Sequence, residues 1–101
     1  NREAISTLAQ EVAEMARRHK LQVGIIYTGT RAETDAEWIK QAKQHMNIVE
    51  SSGINPDQAI IETWTRLPDR SGYRPANLFP MRDPSALGCL VQFYTTQFIN
   101  R

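Results

Sequence analysis

The chain has 101 residues, 12 Lys and Arg against 11 Asp and Glu, a formal net charge of +1 and a single cysteine. That length supports one domain at most, burying roughly two thirds of the surface exposed on unfolding. Evenly mixed charges exclude the basic stripe with which nucleic-acid binders displace counterions, and one cysteine excludes an internal disulfide framework or a multi-cysteine zinc site.

No run approaches the roughly 18 apolar residues that a membrane-spanning helix needs, so no membrane span is expected. The first residues lack a signal-peptide pattern, and Asn1 already stands inside a helical pattern without an initiator Met, which reads as a processed or excised piece of a longer protein. Over residues 3–19, Ile5, Leu8, Ala9, Val12, Met15 and Ala16 recur at helical spacing and predict an amphipathic helix with one apolar stripe. Arg17, Arg18 and Lys20 suit its C-terminus, where cations meet the negative end of the helix dipole.

The run 21–27, LQVGIIY, is short and β-branched and ends at Thr28-Gly29-Thr30, predicting a strand buried on both faces. Gly24 inside it suggests a close approach by a neighbouring side chain. Thr34 and Glu37 match a capping box, so a helix should start there, with Trp38, Ile39, Ala42, Met46 and Val49 inward and Lys40, Lys43, Gln44 and Glu50 facing away. Gly53 is a left-handed stop, Ile54 its hydrophobic partner, and Pro56 forbids continuation. His45 has no second histidine at ligand spacing and reads as a surface or rim residue of that helix.

A second strand is predicted over 58–64, QAIIETW. Strand, helix, strand is a βαβ unit, whose right-handed crossover makes the strands parallel and brings the loops after Tyr27 and Trp64 to one edge. Residues 65–80 hold three prolines together with Arg66, Arg70, Tyr73 and Arg74. Such a long aperiodic connection is either a functional loop suited to hydroxyl-rich or anionic ligands or simply a solvated one. Asp83-Pro84 signals a helix start, and Leu87, Leu90, Val91, Tyr94 and Phe98 supply that helix's apolar face. Cys89 lies among apolar neighbours and reads as a small buried hydrophobe rather than a nucleophile.

The predicted order is therefore α-β-α-β-α. Two parallel strands leave two open edges, and three helices with wide apolar faces ask for more sheet than two strands offer. Either further strands lie in a longer protein or a second copy completes the sheet.

The runs Val23-Gly24-Ile25-Ile26-Tyr27-Thr28-Gly29 and Ala59-Ile60-Ile61-Glu62-Thr63-Trp64, with Trp38 between them and Leu78-Phe79-Pro80 after, resemble the last repeats of bacterial glycoside-hydrolase-like (β/α)8 barrel proteins. The resemblance covers most of the chain. It implies that residues 1–101 form a single α/β segment, a partial barrel from the C-terminal portion of a larger one, in an extracellular or periplasmic, polysaccharide-associated protein. It also implies that Trp64 is a platform for a sugar ring. The chain departs from the family pattern at Glu62, where another polar residue is common, and at Met81, where an acid is common.

Glycoside hydrolysis usually takes two carboxyl groups, roughly 5 to 9.5 Å apart. Strand alternation puts Ile60, Glu62 and Trp64 on one face, so Glu62 is the candidate catalytic acid, with Trp64, Tyr27, Arg66 and Tyr73 as substrate contacts. The alternatives are a structural Glu62 paired with an arginine such as Arg66, and a Trp64 that caps the core. Glu33 and Asp35 are on the correct edge for a second acid, although Asp35 equally suits the first turn of a helix. Neither GxGxxG nor GxxxxGK occurs, and His19 and His45 offer no triad, so nucleotide chemistry and serine hydrolysis drop out. No cofactor or metal is expected, and the partners expected are a carbohydrate or polysaccharide and the rest of the barrel or another copy. The other function class consistent with these elements is a non-enzymatic α/β association module, with no nucleic acid as partner.

Overall fold

A computed structural model describes residues 2–29, 32–62 and 79–99. Its elements run α1 (Arg2–Arg18), β1 (Gly24–Tyr27), α2 (Asp35–Ser51), β2 (Gln58–Ile61) and α3 (Leu87–Tyr94), and a π-helical turn, Thr95–Ile99, extends α3. The fold is mixed helix and strand, with β1 and β2 paired in parallel and Ile26 in register with Ile60. The crossover helix α2 explains the direction: about 25 Å of helix returns the chain to the end of the sheet where β1 began.

α2 forms where its signals stand. The Thr34 hydroxyl accepts the Glu37 N–H at 3.1 Å, capping the first turn. The Glu37 carboxylate reaches one residue further back than a capping box requires and accepts the Glu33 N–H at 3.2 Å. Trp38, Ile39, Ala42, Met46 and Val49 are buried, and Gly53 ends the element at φ 81 with Ile54 folded beneath it. Fully burying side chains of this size contributes roughly 1.5 to 3 kcal/mol each, which makes α2 the centre of the core. It touches both α1 and α3, and it packs on β1.

The strands show which way the layers face. Val23, Tyr27, Ile25, Ala59 and Ile61 pack into the core that α1, α2 and α3 share. On the other face Ile26 is 57% and Ile60 40% exposed, and Gly24 and Gln58 are exposed beside them. Burial of β1 on both faces, expected from its continuous apolarity, is therefore not found: among the described residues the helices cover one face only.

Four local expectations are corrected. Glu50 does not face away from the core but is 7% exposed within it. A Cβ on Gly24 would meet the Gln58 side chain at 3.8 Å and its carbonyl at 3.9 Å, an ordinary contact rather than a close approach. The single stripe expected on α1 divides, because Ile5, Ala9, Ala13 and Ala16 pack inward while Leu8, Val12 and Met15 stay exposed. Asp83 and Pro84 begin a turn rather than α3: the Asp83 carboxylate accepts both the N–H and the hydroxyl of Ser85, and the helix starts only after Ala86 adopts an extended backbone.

Candidate functional site

The carboxyl edge of the sheet is built from Tyr27 at the end of β1, Thr28 and Gly29 after it, and Glu62 after β2. The Glu62 N–H donates to the Tyr27 carbonyl at 3.2 Å, so the parallel ladder continues one residue beyond Ile61. His45, on α2, donates from Nδ1 to the Thr28 carbonyl at 3.2 Å, which ties the start of this edge to the helix layer. Gly29 lies against the indole of Trp38, and a Cβ there would stand 2.4 Å from the ring. The segment after β1 can follow this path only because residue 29 has no side chain.

Glu62 is half-buried and is the first residue past β2, at the edge where the sequence places a candidate acid. Asp35, half-buried, and Glu33, exposed, follow β1 at the start of α2, where Asp35 also meets the positive end of the helix dipole. Tyr27 occupies the core, 2% exposed, with its hydroxyl donating to Glu50 Oε2 at 2.5 Å. Trp64, Arg66 and Tyr73 lie outside the described residues. The Glu62 residue and the backbone of residues 27–29 are thus brought together at this edge.

A second polar group escaped the sequence reading. Glu50 Oε2 accepts from Tyr27 at 2.5 Å and from Tyr94 at 2.9 Å, so one carboxylate from α2 joins the end of β1 to α3. The tyrosine rings also meet, with centroids 5.6 Å apart, and Tyr94 in turn contacts Phe98 at 5.2 Å. Burial, then the hydrogen bond to Glu50 and that group's negative charge, push the Tyr27 phenol well above its ordinary range. It stays protonated and acts as a donor. The signal was positional, since Glu50 stands four residues after Met46 and next to Val49, inside the buried arc of α2.

The opposite, amino edge is closed by Asp57, whose Oδ2 accepts the Val23 N–H and the Arg17 guanidinium, both at 2.7 Å. Those donors, the Val23 amide foremost, hold the Asp57 carboxyl below the usual carboxylate range. Arg17 also donates to the Asn55 carbonyl at 2.9 Å and Gln10 to the Ser52 carbonyl at 3.1 Å, beside an open hollow of about 440 Å3 between α1 and the 52–55 turn. The hydrogen bonds there fasten α1 to the sheet.

Among the described residues no group of three His, Cys, Asp or Glu is placed to hold a metal ion, and no helix is long and apolar enough to cross a membrane. The chain matches no family model, no curated protein and no solved structure.

Proposed function

We propose that this chain is a segment of a larger glycoside-hydrolase-like β/α barrel and that Glu62 stands on the rim of that barrel facing a carbohydrate. The observation that carries the reading is the one-sided sheet: parallel strands, helices on one face, and Ile26 beside Ile60 on the other. A doubly wound sheet places helices on both faces, whereas a β/α barrel places them on the outside and fills the inside with branched aliphatic side chains. Further parallel strands of the same barrel are the occupant proposed for the Ile26 and Ile60 face. Burying the exposed parts of both side chains would contribute roughly 2 kcal/mol.

Ligands of such barrels sit at the carboxyl ends of the strands, which is where Glu62 lies. Its proposed role is to contact sugar hydroxyls, or to transfer a proton if a second carboxyl group faces it across the mouth. Glu33 and Asp35, after β1 at the same edge, are the candidates within this chain. Trp64, Arg66 and Tyr73 keep their proposed place as ligand contacts contributed by the segment that follows β2.

The experiment is a panel of oligosaccharides offered to this chain and to the longer polypeptide the proposal requires. Binding and turnover are expected from the longer polypeptide, with loss of turnover in Glu62→Gln, and no turnover from the chain alone. Efficient hydrolysis by the chain alone contradicts its being a segment. Absence of sugar binding by the longer polypeptide removes the carbohydrate reading.

A further inference from the structure

We propose that α1 pairs antiparallel with α1 of a second copy of this chain, through Leu8, Val12 and Met15. This goes beyond the barrel reading and does not rest on it, because it concerns a different surface.

The helix carries two apolar stripes. Ile5, Ala9, Ala13 and Ala16 face the chain's own core, while Leu8, Val12 and Met15 are 62%, 53% and 59% exposed. Spacings of four and three residues place the exposed three in a single row along about two turns of helix, which is the pattern one helix presents to another. A row of this kind in water is a surface waiting for cover.

The charges bordering the row favour a second copy as the cover. Glu11 and Arg18, seven residues and thus two turns apart, stand on the same border of the row, the one away from the core. With the helices antiparallel and Val12 opposite Met15 of the second copy, Glu11 comes beside Arg18 of the second copy. Two-fold symmetry then repeats the pair, giving two opposite-charge contacts and no like-charge contact. A parallel arrangement would instead set Glu11 against Ala16 and give neither charge a partner across the interface. Arg18 is available for the exchange: its contact with Glu14 spans 3.9 Å, and the two side chains are 70% and 73% exposed. Such an exposed pair contributes little that would be lost.

The test is sedimentation equilibrium of the chain over a range of concentrations, with circular dichroism to confirm folding. A dimer is expected whose Kd rises about tenfold in Glu11→Arg and in Arg18→Glu, because each variant replaces two symmetric attractions by repulsions. The double variant, Glu11→Arg with Arg18→Glu, should return to near the original Kd. Val12→Ser, at an exposed position with the charges untouched, should also weaken the dimer by about tenfold. A chain that stays monomeric at every concentration overturns the proposal. So does a dimer indifferent to these changes, or one that responds to Ile26→Ser instead, an outcome that points to the sheet face and leaves the barrel reading intact.

Discussion

Gly29 should be less replaceable than Gly24 or Gly53. A methyl group there would lie 2.4, 2.6 and 2.7 Å from three atoms of the Trp38 indole, more than about 1 Å inside an ordinary carbon contact. Trp38 is 2% exposed within the core, so the ring cannot swing out into solvent without giving up that burial. Overpacking of this kind costs about 1 to 3 kcal/mol, and the depth of the overlap puts Gly29→Ala near the upper end. For a domain of this size that corresponds to a fall in Tm of roughly 10 to 20 °C. Gly24→Ala is the matched control, since its methyl would meet Gln58 at ordinary distance and should leave stability unchanged or raise it by up to about 1 kcal/mol. Thermal and urea unfolding, followed by circular dichroism and by tryptophan fluorescence, decide the matter. Equal stability of Gly29→Ala and the parent chain would refute the placement of Trp38 against the segment after β1.

Three further outcomes follow from the polar contacts. Tyr27→Phe should lower stability by about 2 kcal/mol and Tyr94→Phe by about 1, the buried donor mattering more, as read from urea midpoints; equal and negligible effects would contradict the Glu50 contacts. Asp57 has a depressed carboxyl pKa, so its stabilising contribution is present above the ordinary carboxylate value of about 3.9 and is lost as the pH falls through the folded value. Asp57→Asn should therefore flatten the fall in urea midpoint below about pH 4, and an unchanged acid profile would count against that linkage. The raised Tyr27 phenol acts in the other direction: its contribution is complete below about pH 10 and declines above it, as the unfolded chain gives up the proton first. Alkaline unfolding monitored by circular dichroism should be less steep in Tyr27→Phe.

What could be read from the residues alone was whatever local chemistry decides. A hydroxyl at Thr34, a glycine at 53 and an apolar arc from Trp38 to Val49 specify α2 with little help from the rest of the chain. The same crossover then settles the parallel pairing of β1 with β2. Features that depend on three-dimensional neighbours were harder to see. Glu50 has the polarity of a surface residue and is buried because two tyrosines, one of them 44 residues away, converge on its carboxylate. Asp83-Pro84 has the letters of a helix start, yet the Asp83 side chain is taken up by Ser85 and closes a turn first. The continuous apolarity of β1 does not say whether its second face is covered, because that depends on what lies across from Ile26. At the carboxyl edge, Glu62 is half-buried one residue past β2, whereas Tyr27 turns inward because odd-numbered residues of β1 face the helices.

The proposal turns on whether the helix-free face of the sheet is open in this chain and covered in a longer one. The direct measurement is the broadening of isoleucine methyl resonances by a soluble paramagnetic agent. In the chain alone, the Ile26 and Ile60 methyls should broaden strongly while those of Ile39 and Ile54, 1% and 7% exposed, stay sharp. In a polypeptide carrying the neighbouring β/α repeats all four should be sharp. Ile26 and Ile60 methyls as protected as that of Ile39 in the chain alone, or as strongly broadened in the longer polypeptide as in the chain, would contradict the account.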